Sequence, residues 1–182
     1  GRVFEEGAEA DLYFLEADDM RLPVRTKKSV HKGNFGHAAI AAGEKAGAAI
    51  IAGQAALGFG AGLSTIVETE TGAAARFKLP PDLMIAKSFP KNTTAILLGS
   101  GFGRDRTEAF QNLCTKLEAH KGAGIVLDAD SFYYGDIVRL LDVFSKRRTR
   151  VILTPHPKEF QSLLKLCALG DYTIGELADD RI

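Results

Sequence analysis

The chain has 182 residues, of which 46% are hydrophobic and 25% charged, a composition typical of a globular domain with one core. Lysine and arginine together number 23, as do aspartate and glutamate, so the formal net charge is zero. This balance argues against nucleic-acid binding, which needs an excess of cations, but it permits a local phosphate site made of backbone N–H groups.

No apolar run reaches the roughly 18 residues that a membrane-spanning helix needs, so no membrane partner is expected. Cys114 and Cys167 lie far apart, in separate helical patterns. Such unpatterned cysteines indicate buried free thiols in a reducing compartment, which predicts a cytoplasmic location. No Cys/His spacing resembles a zinc site, and we expect no protein-bound metal centre.

Short β-branched runs alternate with longer helical patterns along most of the chain. Residues 11–23 read as one strand or an extended linker, and 26–36 as a polar, basic loop. The pattern predicts strands at 37–43, 63–68, 82–88, 94–100, 124–130 and 150–154, and helices at 46–59, 105–120, 133–145 and 157–168. This order predicts an α/β fold, a three-layer α/β/α sandwich with a mainly parallel sheet.

Four unusual stretches follow predicted strands: "GEKAGAA" (43–49), "GSGFG" (99–103), "DAD" (128–130) and "TPHP" (154–157). Because parallel sheets bind ligands at the carboxyl ends of their strands, these stretches are the candidate site. We expect Ala49, Gly101 and His156 to converge there on one crevice.

Each stretch also has a purely structural interpretation. The glycines of "GSGFG" suit either close approach to a ligand or a tight strand-to-helix turn. Asp128 and Asp130 either contact substrate, with or without a hydrated cation, or one of them caps the next helix.

Two prolines, Pro155 and Pro157, restrict His156 and so present it at low entropic cost. We expect His156→Ala to weaken ligand binding more than folding. The alternatives are that His156 is a capped loop residue and that Glu159 only complements a helix dipole.

Other histidines and lysines carry weaker signals. Lys28, His31 and Lys32 form a basic loop that either meets phosphates or is a solvated face. His37 is expected to begin a strand, and His120 to lie at a helix C-terminus, where a cation suits the dipole.

Taken together and in order, "HKGNFGH", "AGAAIIAGQAALGFGAGLSTI", "GSGFG", "LDADS" and "LTPHPKEF" resemble the NAD(P)H-hydrate dehydratases of the ribokinase-like superfamily. The resemblance covers about residues 27–165. It implies repair of hydrated NADH or NADPH: ADP or ATP, with Mg²⁺, phosphorylates the ring hydroxyl, and loss of phosphate restores the cofactor. It also implies a cytoplasmic homo-oligomer.

The resemblance carries substrate contacts over to seven positions. Ala49 matches an alanine of the family's "GAA" turn, and Gly101 matches the middle of its Gly-Pro-Gly loop, where Ser100 here replaces proline. The segment matching the family's "PHPGEF" comprises His156, Pro157, Lys158, Glu159 and Phe160, with Lys158 where glycine is commoner.

The family's catalytic Gly-Thr-Gly-Asp loop does not occur among the 182 residues. No catalytic residue is therefore assigned in this chain, and we expect the chain alone to be inactive. The resemblance implies that residues 1–26 are a linker or the tail of an upstream epimerase domain. It implies that 27–182 are the N-terminal part of a dehydratase domain.

Two other functions remain open from the residues. One is a vitamin-precursor kinase of the same superfamily, such as hydroxyethylthiazole kinase, although "TPHPKEF" favours the dehydratase. The other is a non-catalytic binding protein that has kept the ligand-facing loops.

Overall fold

The computed structural model describes residues 26, 28–69 and 79–179. The predictions for 1–25, including the linker and the possible strand at 11–23, lie outside this part of the chain. Among the described residues, six strands form one sheet: β1 (His37–Ala42), β2 (Leu63–Glu68), β3 (Met84–Ala86), β4 (Ala95–Leu98), β5 (Gly124–Leu127) and β6 (Val151–Leu153). The helices are α1 (Ala46–Gly58), α2 (Thr107–Ala119), α3 (Asp136–Lys146), α4 (Pro157–Leu166) and α5 (Ile174–Asp179).

The strand order is β3-β2-β1-β4-β5-β6, and every neighbouring pair is parallel. All carboxyl ends therefore meet at one edge of the sheet, and all amino ends at the other. The chain runs outward from β1 to β3, then returns to the other side of β1 with β4. This placement puts the loop after β4 beside the loop after β1, where the direction of winding reverses.

Helices cover both faces of the sheet, as the sequence predicts. In β1, Ala39 and Ala41 join the core beneath α2 and α3, whereas Ile40 and Ala42 pack with α1. Successive strand residues point to opposite faces, so one strand supplies both cores. The three-layer α/β/α sandwich is thereby confirmed.

The main departures from the predicted elements lie at the strand ends. The predicted strand 124–130 stops at Leu127, because Ala129 has a φ of 46° and begins a short 3₁₀ helix, Ala129–Tyr133. The helix predicted from 133 consequently begins at Asp136. The predicted loop 26–36 contains a second 3₁₀ helix, Lys32–Phe35, and α5 was not predicted.

The cysteines are both free thiols, but they differ in burial. Cys114 is fully buried on α2, and burial, followed by the charge of Asp136, raises the pKa of its thiol to about 12. Cys167 is only half-buried just beyond α4, so the expectation of two buried thiols holds for Cys114 alone.

Candidate functional site

The carboxyl rim is defined here as the loops that follow β1, β4, β5 and β6: residues 43–45, 99–103, 128–131 and 154–156. The first two of these loops are joined by backbone hydrogen bonds. The N–H of Glu44 donates to the carbonyl of Phe102 at 3.0 Å, and the N–H of Lys45 donates to the carbonyl of Gly101 at 2.9 Å. The start of α1 is thus tied to the loop after β4.

Glycines permit this close approach. A Cβ built at Gly43 would lie 2.3 Å from Cα of Phe102, and one built at Gly99 would lie 1.8 Å from the carbonyl oxygen of Asp128. Gly99 and Gly101 also have φ angles of 114° and 64°, in the left-handed region. The tight-turn interpretation of "GSGFG" is therefore correct for the loop's own packing.

Buried aromatic side chains of the core hold the loop after β4 in place. Phe102 is fully buried and lies edge-on to Phe110 of α2, with ring centroids 5.5 Å apart. Tyr134 stacks on Phe110, and its hydroxyl donates to the carbonyl of Gly103. Burial raises the pKa of the Tyr134 hydroxyl, which therefore stays protonated as a donor at neutral pH. The loop is consequently held in one position at the rim.

Asp128 connects three of the four rim loops. Its Oδ2 accepts a hydrogen bond from Ser100 Oγ at 2.7 Å, and its Oδ1 accepts one from Thr154 Oγ1 at 2.8 Å. The side chain makes no capping hydrogen bond to the 3₁₀ helix that follows it, so the capping interpretation is wrong for Asp128. Its carboxylate instead links the ends of β4, β5 and β6.

Asp130 makes a second link between the loops after β4 and β5. Its Oδ2 accepts from the N–H of Gly103 at 2.9 Å, and its Oδ1 lies 3.4 Å from Nε of Arg104. Arg104 in turn lies over the ring of Tyr133, 3.7 Å from the centroid. Asp130 therefore does not cap a helix near Tyr133 either.

His156 is the N-cap of α4. Its Nδ1 accepts hydrogen bonds from the N–H groups of Lys158 and Glu159, at 3.1 and 3.3 Å. Glu159 returns the contact: its Oε2 accepts from the N–H of His156 at 2.9 Å, and its Oε1 lies 2.9 Å from Nε2. Because Nδ1 accepts, the network assigns the ring proton to Nε2, which donates to Glu159.

This capping box gives both residues a structural role, and for Glu159 that role goes beyond the dipole alternative. Glu159 is 7% exposed and does more than complement the dipole, whereas the His156 side chain is about half exposed. Pro157 occupies the first turn, where its missing N–H costs nothing. Lys158 and Phe160 are exposed beside the histidine.

Ala49, Gly101 and His156, which we expected to converge, differ in burial and in position along the sheet edge. Gly101 packs against the first turn of α1, since a Cβ there would be 3.0 Å from Cβ of Ala48. His156 lies at the same edge, about 10 Å away if two strand spacings separate β4 from β6. Ala49 is fully buried between α1 and the sheet. Direct ligand contact by these residues stays a prediction.

The basic loop lies elsewhere, because it precedes β1 and so belongs to the amino edge. His31 caps the 3₁₀ helix Lys32–Phe35, and Lys28 and Lys32 are solvent-exposed, which fits a solvated face. His37 begins β1 as predicted, buried with Nε2 2.7 Å from Thr65 Oγ1. His120 ends α2 as its C-cap.

Sequence reasoning missed the connection of Ser100, Asp128 and Thr154 and the close approach at Gly43. The sequence signal for this connection would have been a serine after β4, an aspartate after β5 and a threonine after β6, because these three strands are neighbours in the sheet. Within the described ranges, no group of three or more His, Cys, Asp or Glu side chains is arranged to hold a metal ion. The helices of these ranges are likewise too short or too polar to cross a bilayer.

Comparison with known proteins places the chain in a family. Residues 38–180 match the family model for NAD(P)H-hydrate dehydratase. The bifunctional NAD(P)H-hydrate repair enzyme Nnr of Helicobacter pylori is 35% identical over 172 residues, which cover 94% of this chain and 34% of that protein. The chain thus spans about a third of that relative's length.

Solved structures agree. The ADP/ATP-dependent NAD(P)H-hydrate dehydratase of Bacillus subtilis, co-crystallised with ATP/Mg²⁺, has a TM-score of 0.64 and 27% identity, covering 88% of this chain and 56% of that one. A ribokinase-like superfamily protein of Enterococcus faecalis is 22% identical, with a TM-score of 0.56. The match covers 84% of this chain and 56% of that chain, and it supports the fold. The chain belongs to the NAD(P)H-hydrate dehydratase family.

Proposed function

We propose that this chain supplies the substrate-binding rim of an ADP- or ATP-dependent dehydratase that converts hydrated NADH or NADPH, written NADHX and NADPHX, to NADH or NADPH. The observation that carries the proposal is the carboxyl rim itself. Asp128 holds together the loops bearing Gly101 and His156, the two rim positions that match the family's substrate segments. A vitamin-precursor kinase is less well supported, because the family model that matches is the dehydratase's.

Gly101 provides a donor for the substrate. Among the described residues no acceptor takes a hydrogen bond from its N–H, although its carbonyl is bound by Lys45. The residue is half-buried, so the N–H lies near the surface of the rim. An unpaired backbone donor at such a place suits a carbonyl or phosphate oxygen of a dinucleotide.

In the proposed reaction the adenine nucleotide transfers its terminal phosphoryl group to the hydroxyl of the hydrated ring. The C–O bond then breaks, phosphate leaves, and loss of a ring proton forms the double bond. The net change is removal of water from the substrate with hydrolysis of the nucleotide. The rim binds and orients the dinucleotide, while no residue of this chain is assigned to proton transfer.

The rim does not form a Mg²⁺ site by itself. Both oxygens of Asp128 accept hydrogen bonds from hydroxyl groups, and both oxygens of Asp130 contact Gly103 or Arg104. Among the described residues, no third His, Cys, Asp or Glu side chain joins these two carboxylates to complete a metal-binding group. No step of the proposed reaction is therefore assigned to a metal held by these residues.

Substrate binding is tested by amide NMR on the ¹⁵N-labelled chain, titrated with NADHX and, as the matched ligand, NADH. We expect the Gly101 and Lys158 amides to shift with NADHX and to saturate at lower concentration than with NADH. Equal responses to both ligands, or shifts confined to the amino edge, would contradict the proposal. Binding of NADHX without turnover by a protein that joins this chain to a Gly-Thr-Gly-Asp loop would instead indicate a non-catalytic binding protein.

The proposal extends to a cytoplasmic homo-oligomer. α1 is apolar on nearly all sides, with Gln54 as its one polar side chain, and its Ile51 and the adjoining Phe59 are 70% and 75% exposed. A helix that is apolar all round is normally buried, so these side chains suit a contact with a second copy. Sedimentation of the wild-type chain and of Ile51→Lys tests this: the variant should sediment as a smaller species, and identical sedimentation would count against the contact.

A further inference from the structure

We propose that a cationic cavity at the amino edge of the sheet binds a small phosphorylated ligand. The cavity has a volume of about 470 Å³ and lies where α2 and α3 end and where β5 and β6 begin. That volume is within the range of small-molecule pockets. It faces away from the carboxyl rim and so is separate from the proposed substrate site.

Charge identifies the ligand class. Lys121, Arg147, Arg148 and Arg150 line the cavity together with His120, and none of the described residues that line it is acidic. The C-termini of α2 and α3 face the same region and carry only about half a negative charge each. Four permanent cations therefore leave a surplus of roughly three positive charges after the helix dipoles are counted.

Most of this charge is not neutralised within the described chain. Arg147 donates to the backbone carbonyl of Glu118, whose carboxylate is already paired with Arg139. Lys121, Arg148 and Arg150 form no ion pair with described residues. Three side chains are therefore available to meet an anion.

The cavity is built on ordered backbone. The N–H of Arg148 donates to the carbonyl of Ser145 at 3.0 Å, and that of Thr149 to the carbonyl of Phe144 at 2.9 Å. The carbonyl of Arg150 accepts from Ile125 at 2.9 Å, which fixes the arginine beside β5. Phe144 and Ile125 are buried and form an apolar floor. An organic phosphate, with a charged group and a less polar body, fits this combination.

A small ligand is favoured over nucleic acid for two reasons. The site is concave, and the whole chain carries no net positive charge to attract a long polyanion. Pyrophosphate is the simplest probe of the shared phosphate chemistry, because it needs only the cations.

The test compares two double variants with the same loss of charge. Arg148→Gln/Arg150→Gln removes two cavity cations, and Lys32→Gln/Lys165→Gln removes two exposed cations outside it. By calorimetry at low salt, we expect the cavity variant to bind pyrophosphate at least about tenfold more weakly and the control less than about twofold, since contacts to charged groups are worth a factor of this order. Equal weakening in both, or none in either, would overturn the proposal.

Two readouts keep the result specific. The Gly122 amide should shift with pyrophosphate, whereas a shift at Gly101 alone would place the anion at the rim and overturn the proposal. Duplex DNA and phosphatidylserine vesicles should bind more weakly than pyrophosphate. If either binds more tightly than pyrophosphate, and Arg148→Gln/Arg150→Gln abolishes that binding, the surface belongs to a polymer or a membrane and the proposal is overturned. If Arg148→Gln/Arg150→Gln has an altered circular dichroism spectrum, Lys121→Gln provides the same test with an expected loss of at least about threefold.

Discussion

His156 shows how one side chain serves both folding and ligand presentation. The sequence predicts that His156→Ala weakens ligand binding more than folding, because the side chain is expected to face a crevice. The structure instead gives the imidazole a capping role, since Nδ1 accepts two backbone N–H groups of α4. A loss of folding stability is therefore expected as well, and whether binding is weakened more than folding stays a prediction.

Replacing His156 separates the two roles. His156→Ala removes the cap and should lower the free energy of unfolding by about 0.5–2 kcal/mol, whereas His156→Asn keeps a good N-cap and should cost far less. If the imidazole also contacts the substrate, both variants should weaken NADHX binding by a similar factor. Urea unfolding and ligand titration measure the two effects; full binding by His156→Asn would show that only the cap matters.

At the scale of elements, the carboxyl rim depends on loops that approach one another more closely than side chains allow. The loops after β1 and β4 are in backbone contact at Gly43, and those after β4 and β5 at Gly99. Asp128 and Asp130 then add side-chain hydrogen bonds between the loops after β4 and β5. The ends of four strands therefore behave as one unit, which preorganises the rim for ligand binding.

Two glycine substitutions test the rim's close packing. Gly43→Ala places a Cβ 2.3 Å from the backbone of Phe102, so the loop must move, and we expect a loss of about 1–3 kcal/mol. Gly58→Ala is the matched control, because its Cβ would meet nothing within 4 Å in the last turn of α1. It should be neutral or stabilise by up to about 1 kcal/mol. Chemical unfolding measures both; a harmless Gly43→Ala would mean the two loops separate easily.

At the scale of the whole molecule, the sheet separates two regions of different chemistry. The carboxyl edge carries glycines, two carboxylates and the N-cap histidine of α4, whereas the amino edge carries a cluster of four cations with no acidic residue among the described residues that line the cavity. The strands that run between the two edges are roughly 10–20 Å long. A small ligand bound at one edge therefore does not reach the other edge. Substrate binding and anion binding should therefore be independent.

The 182-residue chain by itself should show no dehydratase turnover. It carries the rim residues but no Gly-Thr-Gly-Asp sequence, and removing a preorganised anion-stabilising group alone typically costs a factor of about 10² or more. NADHX incubated with ADP or ATP and the purified chain should yield NADH, followed at its absorbance band, no faster than without protein. The NAD(P)H-hydrate dehydratase of Bacillus subtilis serves as the positive control, and turnover by the chain alone would refute the prediction.

The sequence by itself determined the order of strands and helices, the parallel sheet and the family. These depend on local periodicity and on contiguous motifs, both of which a single chain displays directly. It also located the rim, because the carboxyl ends of parallel strands must share one edge. Its errors were at strand ends such as Asp128–Tyr133, where a residue in the left-handed region at Ala129 turns the chain early.

Only the tertiary structure decided which groups meet at that edge. Asp128 joins Ser100, 28 residues before it, to Thr154, 26 residues after it, and no local pattern specifies such partners. The same holds for Gly43 against Phe102 and for the four cations brought together at the ends of α2 and α3. Contacts between distant segments arise from how helices and strands pack, so residue types predicted the chemistry while packing determined its partners.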